Sequence, residues 1–316
     1  MQRPLFLDMD PGVDDALAIA VLASDPSLAI TGASAVHGNV NARAAARNLA
    51  ALLRMAGRPE VPVRIGAQKP LVQDPSYAPH IHGEDGVGGE SPKLAEVPEP
   101  DVGGVSLLLA ESHAYAGTLE IVATGPLTTL ALALIEDPTL PGRIRHVHVM
   151  GGAFWGPGNI TPLAEANVYH DPEAAHLVFG AGWPLTVSGL DVTTQVLWEE
   201  AGIARLESYG DRAPFLSLLG RMSRFYAQAY APRLGRVACP LHDPLTALLV
   251  TRPDLIQSVE TPVLVECGGS YSRGRTLVGP YGELDGRTRP EVRVARTVDA
   301  RGALSAFEDA VHTLMR

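Results

Sequence analysis

Four carboxylates stand within eight residues near the amino terminus, in Leu5-Phe6-Leu7-Asp8-Met9-Asp10-Pro11-Gly12-Val13-Asp14-Asp15-Ala16, directly after an apolar run. Anions this close raise one another's pKa values and cannot all stay ionised in a folded site without a counter-charge. No Lys lies in the segment and the nearest Arg is Arg3, so a bound cation is the natural partner. An all-oxygen ligand set suits a hard ion, Ca2+ or Mg2+, rather than zinc. Part of the cluster has an ordinary structural explanation. Asp10-Pro11 is how a helix starts, and Asp14 and Asp15 then occupy its first turn, favoured by the macrodipole. That account does not reach Asp8 and Asp10, at the carboxyl end of a predicted strand, where open α/β sheets place their ligands. Asp8 alone could simply support its neighbours.

The chain that must position these groups has 316 residues, 46% hydrophobic and 19% charged, enough for one large α/β domain or two smaller ones. Net charge is −10 and the only lysines are Lys69 and Lys93. This argues against nucleic acid or an anionic membrane as the partner, since both want a basic surface. Cys239 and Cys267 are too few for a disulfide framework and lack metal-ligand spacing, so both are read as reduced. No basic-then-apolar leader opens the chain, and no apolar run approaches the ~18 residues of a spanning helix. The expectation is a soluble, cytoplasmic protein.

Hydrophobic periodicity predicts helices over Ala16 to Ala23, Asn41 to Gly57, Val102 to Tyr115, Ala213 to Ala231 and Asp243 to Thr251, with others starting near Thr128, Asp171-Pro172 and Arg301. Strands are predicted at Leu28 to Val36, Val61 to Ile65, Leu119 to Ala123, Arg145 to Met150, Leu185 to Val187, Pro262 to Glu266 and Val292 to Ala295, with a Gly/Arg-rich loop between the last two. This alternation predicts an α/β fold, an open and mostly parallel sheet with helices on both faces. It reads as a single domain over 1–316. The pattern fails from Gln68 to Pro100, where His80-Ile81-His82-Gly83-Glu84-Asp85-Gly86 sits; loops this long in a compact domain are usually functional or disordered. Asp8, Asp10, His37, Asn39, Thr124, the Gly151 to Asn159 passage and Asp191 all follow strand ends. A parallel sheet brings such ends to one edge, so they should converge on one crevice.

Several known chemistries are absent. Gly151-Gly152-Ala153-Phe154-Trp155-Gly156-Pro157-Gly158-Asn159 does not match a dinucleotide fingerprint, and neither a phosphate loop nor a nucleophile elbow occurs. Asp8-x-Asp10 opens like the haloacid-dehalogenase-like phosphotransferases, whose first Asp is the nucleophile. The likeness stops at Pro11-Gly12 and at the want of a well-placed lysine.

A wider set of motifs fits together: Asp8-x-Asp10-Pro11-Gly12-x-Asp14-Asp15-Ala16, Gly38-Asn39, His82-Gly83, Thr124-Gly125-Pro126-Leu127-Thr128, Met150-Gly151-Gly152, Gly158-Asn159, Glu165-Ala166-Asn167, Asp171-Pro172-Glu173-Ala174-Ala175 and His242-Asp243-Pro244. In this order and spacing the chain resembles the nucleoside hydrolases, the inosine-uridine-preferring N-ribohydrolase family, from Pro4 to the last helix. The resemblance implies a Rossmann-like core and a tightly held Ca2+. By analogy Asp10, Asp15, the Thr124 carbonyl and Asp243 would be its ligands, with Asp8 behind them. It implies ribose contacts from Asp14, Asn39, Asn159, Glu165 and Asn167, a donor and acceptor set that suits a triol. It also implies a homo-oligomer, dimer or tetramer, acting on a small nucleoside in salvage.

Cleaving an N-glycosidic bond builds cationic character on the sugar and negative charge on the departing base. Asp10 is suited to activate the water, and His242, helped by His82 and Tyr230, to protonate the base. The only tryptophans are Trp155, Trp183 and Trp198, whereas purine-specific members of the family sandwich the base between tryptophans. The expected specificity is therefore broad or pyrimidine-leaning, over uridine, inosine and cytidine. A protein that binds ribose through Ca2+ without cleaving is the competing reading.

Overall fold

Why Asp8 and Asp10 end up inside the molecule follows from the strand that carries them. In the computed structural model, which describes residues 2–279 and 289–315, Arg3–Met9 forms β1, with Leu5 to Met9 wholly buried. Leu5, Leu7 and Met9 face one half of the core and Phe6 the other, the period-two alternation of a strand covered on both faces.

The remaining strands are β2 (Leu28–Ala35), β3 (Val63–Ile65), β4 (Leu119–Ala123), β5 (Ile144–Met150), β6 (Leu185–Ser188), β7 (Leu197–Glu199), β8 (Ala238–Pro240), β9 (Ile256–Val265), β10 (Thr276–Val278) and β11 (Glu291–Val298). Nine of them form one sheet in the order β10-β9-β11-β6-β5-β4-β1-β2-β3. All neighbours from β11 to β3 run parallel, and β9 pairs antiparallel with both β10 and β11. The expected open, mostly parallel α/β sheet is what the chain adopts.

The helices are α1 (Val13–Ser24), α2 (Ala42–Met55), α3 (Pro79–His82), α4 (Gly104–Ala114), α5 (Thr128–Glu136), α6 (Ala166–His170), α7 (Pro172–Phe179), α8 (Leu190–Thr193), α9 (Glu200–Glu207), α10 (Pro214–Leu234), α11 (His242–Leu249) and α12 (Ala300–Thr313). One face of the sheet packs against α1, α2 and α10 to α12, the other against α4, α5 and α7. Helix α1 is apolar on every side and buried from Val13 to Ala23. Burial of Leu17, Ile19 and Leu22 contributes roughly 1.5–3 kcal/mol per side chain. That anchorage carries Asp14 and Asp15, in the first turn, into the interior with it.

The structure departs from the sequence reading in its small elements. The two-stranded β7-β8 sheet and helices α6, α8 and α9 were not expected, and β9 begins at Ile256 rather than Pro262. The stretch 68–100 is not wholly irregular: it contains α3 and a 3-10 turn at Ser91–Lys93. Residues 280–288 of the Gly/Arg-rich loop lie outside the described residues. Among the described residues, no helix is long and apolar enough to cross a membrane.

Candidate active site

Beyond the carboxyl ends of β1, β4 and β5, six carboxylates are almost wholly buried: Asp8, Asp10, Asp14, Asp15, Glu165 and Asp243 are each at most 6% exposed. Buried carboxylates are costly unless paired, bonded or neutralised. Asp8 accepts a bond from Ser34 Oγ at 2.5 Å and sits behind the others. Burial pushes its carboxyl up to about 7, against the pull of Ser34 and Thr129. Asp8 would be the nucleophile of a phosphotransferase, and this enclosure leaves it no substrate to meet.

Asp10 occupies a slot that exists because two neighbours are glycines. A Cβ on Gly38 would lie 1.9 Å from Asp10 Oδ2, and one on Gly125 3.0 Å from Oδ1. The Asn39 backbone N–H donates to Asp10 Oδ2 at 2.8 Å and the Asn39 side-chain amide to the Asp10 carbonyl at 3.1 Å. Asp10 Oδ1 is buried with no hydrogen-bond partner among the described residues. Asp15 accepts from Gly12 N–H at 2.8 Å and from Thr124 Oγ1 at 2.6 Å, which ties the start of α1 to the end of β4. The Thr124 carbonyl accepts from Asn167 Nδ2 at 2.7 Å.

One oxygen each of Asp14, Asp15 and Asp243 lie within 4.8 Å of one another. Burial and the mutual charge of these groups drive Asp10 and Asp243 well above the usual carboxylate range and Asp15 up to about 7. Like charges raising one another in this way favour a site that takes up positive charge. Arg3, the nearest arginine in sequence, is spent on Glu120. Two buried oxygens without partners, Asp10 Oδ1 and Asp14 Oδ1, together with an all-oxygen donor set, fit a hard cation. The group of three contains Asp14, whereas the sequence reading gave that place to Asp10.

The asparagines and Glu165 shape the loops around this centre. Glu165 caps α6, accepting from Asn167 N–H at 2.8 Å and Val168 N–H at 3.1 Å, and also receives Gly152 N–H at 2.9 Å. Burial still raises its pKa despite these bonds. Asn159 Oδ1 accepts from Ala166 N–H at 2.9 Å. Asp14, Asn39, Thr124, Asn159, Glu165, Asn167, Tyr230, His82, His242 and Asp243 all line one polar cavity of about 40 Å³. A cavity of about 520 Å³ adjoins it, sharing Asn159, Tyr230 and His242, within the rough 300–1,000 Å³ range of small-molecule sites.

The same cavity is lined by a hydrogen-bonded chain. His242 Nδ1 is 2.7 Å from Thr193 Oγ1, and its Nε2 is 3.2 Å from the Tyr230 hydroxyl. Burial lowers the His242 pKa to about 4, although Asp14 pulls it up. That lowering favours the neutral imidazole near pH 7. His82 reaches the site from α3. Val13 N–H donates to its Nδ1 at 3.1 Å, so that nitrogen carries no proton. Its 3.8 Å approach to Asp14 Oδ1 is consequently not an ion pair, in keeping with a pKa that burial lowers. The proton of His82 is on Nε2.

Tyr226 is the site residue that sequence reasoning missed. Its hydroxyl donates to Asp14 Oδ2 at 3.1 Å, its ring meets that of Tyr230 at a tilt of 59° with centroids 4.8 Å apart, and the His82 ring centroid lies 5.2 Å away. Its spacing of four from Tyr230 on a helix was the available signal. Three expected residues stay outside. His37 is bonded to Thr128 Oγ1 at 3.0 Å and pushed down to about 3 by burial. Asp85 staples its own loop through Val87, Gly89 and Ser91 N–H. Asp191 accepts from Phe154, Trp155 and Gly156 N–H, each at 2.8 Å, and lines only the outer cavity.

A family model of the inosine-uridine preferring nucleoside hydrolases matches residues 5–305. The chain is 36% identical to the pyrimidine-specific ribonucleoside hydrolase RihA of Escherichia coli over 98% of each chain. It is likewise 36% identical to that of Salmonella agona, over 96% of each. A plant nucleoside hydrolase, PpNRh1, superposes with a TM-score of 0.92 at 33% identity, covering 98% of this chain and 99% of its own. The purine-preferring ribonucleoside hydrolase of Gardnerella vaginalis gives a TM-score of 0.89 at 30% identity, over 99% of each. The chain belongs to the inosine-uridine preferring nucleoside hydrolase family and is an N-ribosyl hydrolase acting on small nucleosides.

Proposed function

We propose that this chain cleaves ribonucleosides to ribose and free base with the help of Ca2+, using Asp10 as base and the Thr193-His242-Tyr230 chain to activate the leaving group. The observation that carries this reading is the convergence on one cavity of carboxylates that want a cation and a hydrogen-bonded set of His and Tyr proton donors. Asp10, Asp15, the Thr124 carbonyl and Asp243 would hold the ion, with Asp14 near enough to share it. When bound, the ion supplies positive charge that keeps the carboxylates ionised and acidifies a coordinated water.

The chain's own groups do the rest. Asp10, held by Asn39 through Oδ2, keeps Oδ1 free to take a proton from the attacking water. The water oxygen bonds to C1′ as the C1′–N bond breaks, its electron pair leaving with the base. Asp14, Asn39, Asn159, Glu165 and Asn167 grip the ribose hydroxyls and hold C1′ in line. A proton or hydrogen bond reaches the base from His242 or Tyr230, with His82 Nε2–H as a further donor. Asp8 supports β1 from behind.

Base preference is read as broad with a pyrimidine lean. Trp183 and Trp198 are core residues and Trp155 alone lines the outer cavity, so the base meets Tyr226, Tyr230, His82 and His242. The relatives named for pyrimidine specificity share 36% identity, the purine-preferring one 30%. The chain is further read as one domain with its active-site loop at about 68–100, working as a cytoplasmic homo-oligomer, dimer or tetramer. That assembly is supported by the family resemblance and testable by sedimentation.

Replacing Asp10→Asn tests the mechanism. Turnover of uridine, inosine and cytidine should fall by at least about 1,000-fold, the scale of losing a catalytic base, while ribose affinity by calorimetry stays within a few-fold. Retained turnover would remove Asp10 as the base.

A further inference from the structure

At the opposite edge of the sheet, where the strands begin, a row of polar side chains crosses a face that a covered parallel sheet would normally fill with apolar ones. Strand register sets the row: Glu120 on β4 pairs with His146 on β5, His148 with Thr186 on β6, and Thr186 with Arg293 on β11. Arg3 joins from β1. Five neighbouring strands thus supply one cavity of about 310 Å³, which Arg145 also lines. One wall is apolar, made by Leu249, Val250, Pro253 and Ile256.

The charges do not close on themselves. Glu120 is buried and fully engaged: Arg3 grips both its oxygens at 2.7 and 2.8 Å, and His148 Nε2 lies 3.1 Å away. Burial opposes its ionisation, but His148 and Arg3 outweigh that and hold its carboxyl below the usual range. Arg145 therefore finds only an already shared oxygen, at 3.5 Å, and its side chain is 57% exposed. Among the described residues Arg293 has one ion-pair partner, Glu260 at 3.2 Å, and both are at least half exposed, a pairing of small worth that an incoming anion can displace. His148 Nδ1 is buried without a hydrogen-bond partner among the described residues, in a side chain 9% exposed. His146 is bonded to Thr186 Oγ1 at 2.9 Å; burial chiefly, with His148 and more weakly Arg293 and Arg145, lowers its pKa to about 4 against the pull of Glu120.

We propose that this cavity is a binding site for a small phosphate-bearing anion, held by the guanidinium groups of Arg145 and Arg293 over the floor made by Arg3, Glu120 and the two histidines. Guanidinium forks match the oxygens of phosphate, and the apolar wall accommodates an organic remainder. The site is separate from the nucleoside site. Glu120 is near the start of β4 and Thr124 just past its end, about 13 Å apart at strand rise.

Inorganic phosphate, titrated calorimetrically into the full chain at fixed ionic strength with saturating ribose present, should show one saturable site. Arg145→Ala should weaken it about tenfold, the scale of one charge-assisted bond, and Arg145→Ala/Arg293→Ala should abolish it. Arg145 makes no close hydrogen bond, so the single variant stays folded whatever becomes of the double. Failure to saturate, unchanged affinity in Arg145→Ala, displacement of phosphate by ribose, or binding of succinate in place of phosphate would each overturn the proposal.

Discussion

Removing one hydroxyl, Tyr226→Phe, isolates the part of the site that the sequence did not announce. The ring and its contacts with Tyr230 and His82 are kept; only the 3.1 Å bond to Asp14 Oδ2 is lost. Asp14 Oδ1 already has no partner, and His82 Nδ1 cannot donate because it accepts from Val13 N–H. Asp14 would then have no side-chain hydrogen-bond donor among the described residues. A bond to a charged group is worth about 1.5–3 kcal/mol, which is roughly 10- to 150-fold in rate. We therefore expect kcat/KM for uridine and inosine to fall by that factor.

A buried tyrosine could also matter only for packing, and two measurements separate the cases. The melting temperature should move by a few degrees at most, since the apolar surface is unchanged. In an Asp14→Asn background the same substitution should add little, because the cycle removes the shared interaction. A kcat/KM within twofold of the parent, or equal losses with and without the Asp14 carboxylate, would refute the role given to Tyr226.

Gly38→Ala should cost more than any conservative change nearby, because its Cβ would lie 1.9 Å from Asp10 Oδ2 and 2.7 Å from Asp10 Cγ. Turnover is expected to fall at least about 100-fold, with circular dichroism unchanged, if Asp10 must be placed within about 0.5 Å; normal turnover would show that its position is not critical. Ca2+ should stabilise the protein more as pH rises. The raised carboxyl of Asp15, at about 7 from burial and the charge of Asp14, contributes stability to the metal-free chain below its unfolded pKa and loses it as pH climbs through 7, whereas an ion keeps the group usefully ionised. Each proton released is worth ~1.4 kcal/mol per pH unit, so the gap in melting temperature with and without Ca2+ should widen from pH 6 to pH 8. A flat or narrowing gap would contradict a cation site built on these carboxylates.

What the sequence disclosed and what it hid follow one physical division. Long apolar runs and strand-end polar residues were legible because a sheet buried on both faces leaves an unmistakable pattern, and parallel strands bring their ends together whatever the loops do. Asp10 and Thr124 were found that way, His242 only through the family resemblance. Three-residue strands such as β7 and β8 carry too few residues to establish a period, and one-turn helices such as α3 depend on tertiary packing. Of the four titratable groups in His80 to Asp85, only His82 reaches the site, because α3 docks it beside Tyr226; no local rule separates it from His80. Nor could sequence show that His146 and His148, in a strand read simply as buried, fall into register with Glu120, Thr186 and Arg293.

The protonation states sharpen how the leaving group can be served. His242 sits near a carboxylate that favours its charged form, yet burial wins and leaves it neutral. A cation bound among Asp14, Asp15 and Asp243 would cancel that carboxylate field and push the imidazole further from protonation. A stored imidazolium is thus the wrong picture of the acid. The donors available at pH 7 are a neutral imidazole N–H, the Tyr230 hydroxyl, raised to a pKa above the ordinary phenol range by burial, and the His82 Nε2–H. Such donors stabilise a departing base by hydrogen bonding to the charge that develops on it, and give up a proton only as that charge becomes strong. On the proposed mechanism Asp10 and the sugar-gripping residues would advance bond cleavage first, and leaving-group activation would follow the build-up of charge on the base rather than initiate it.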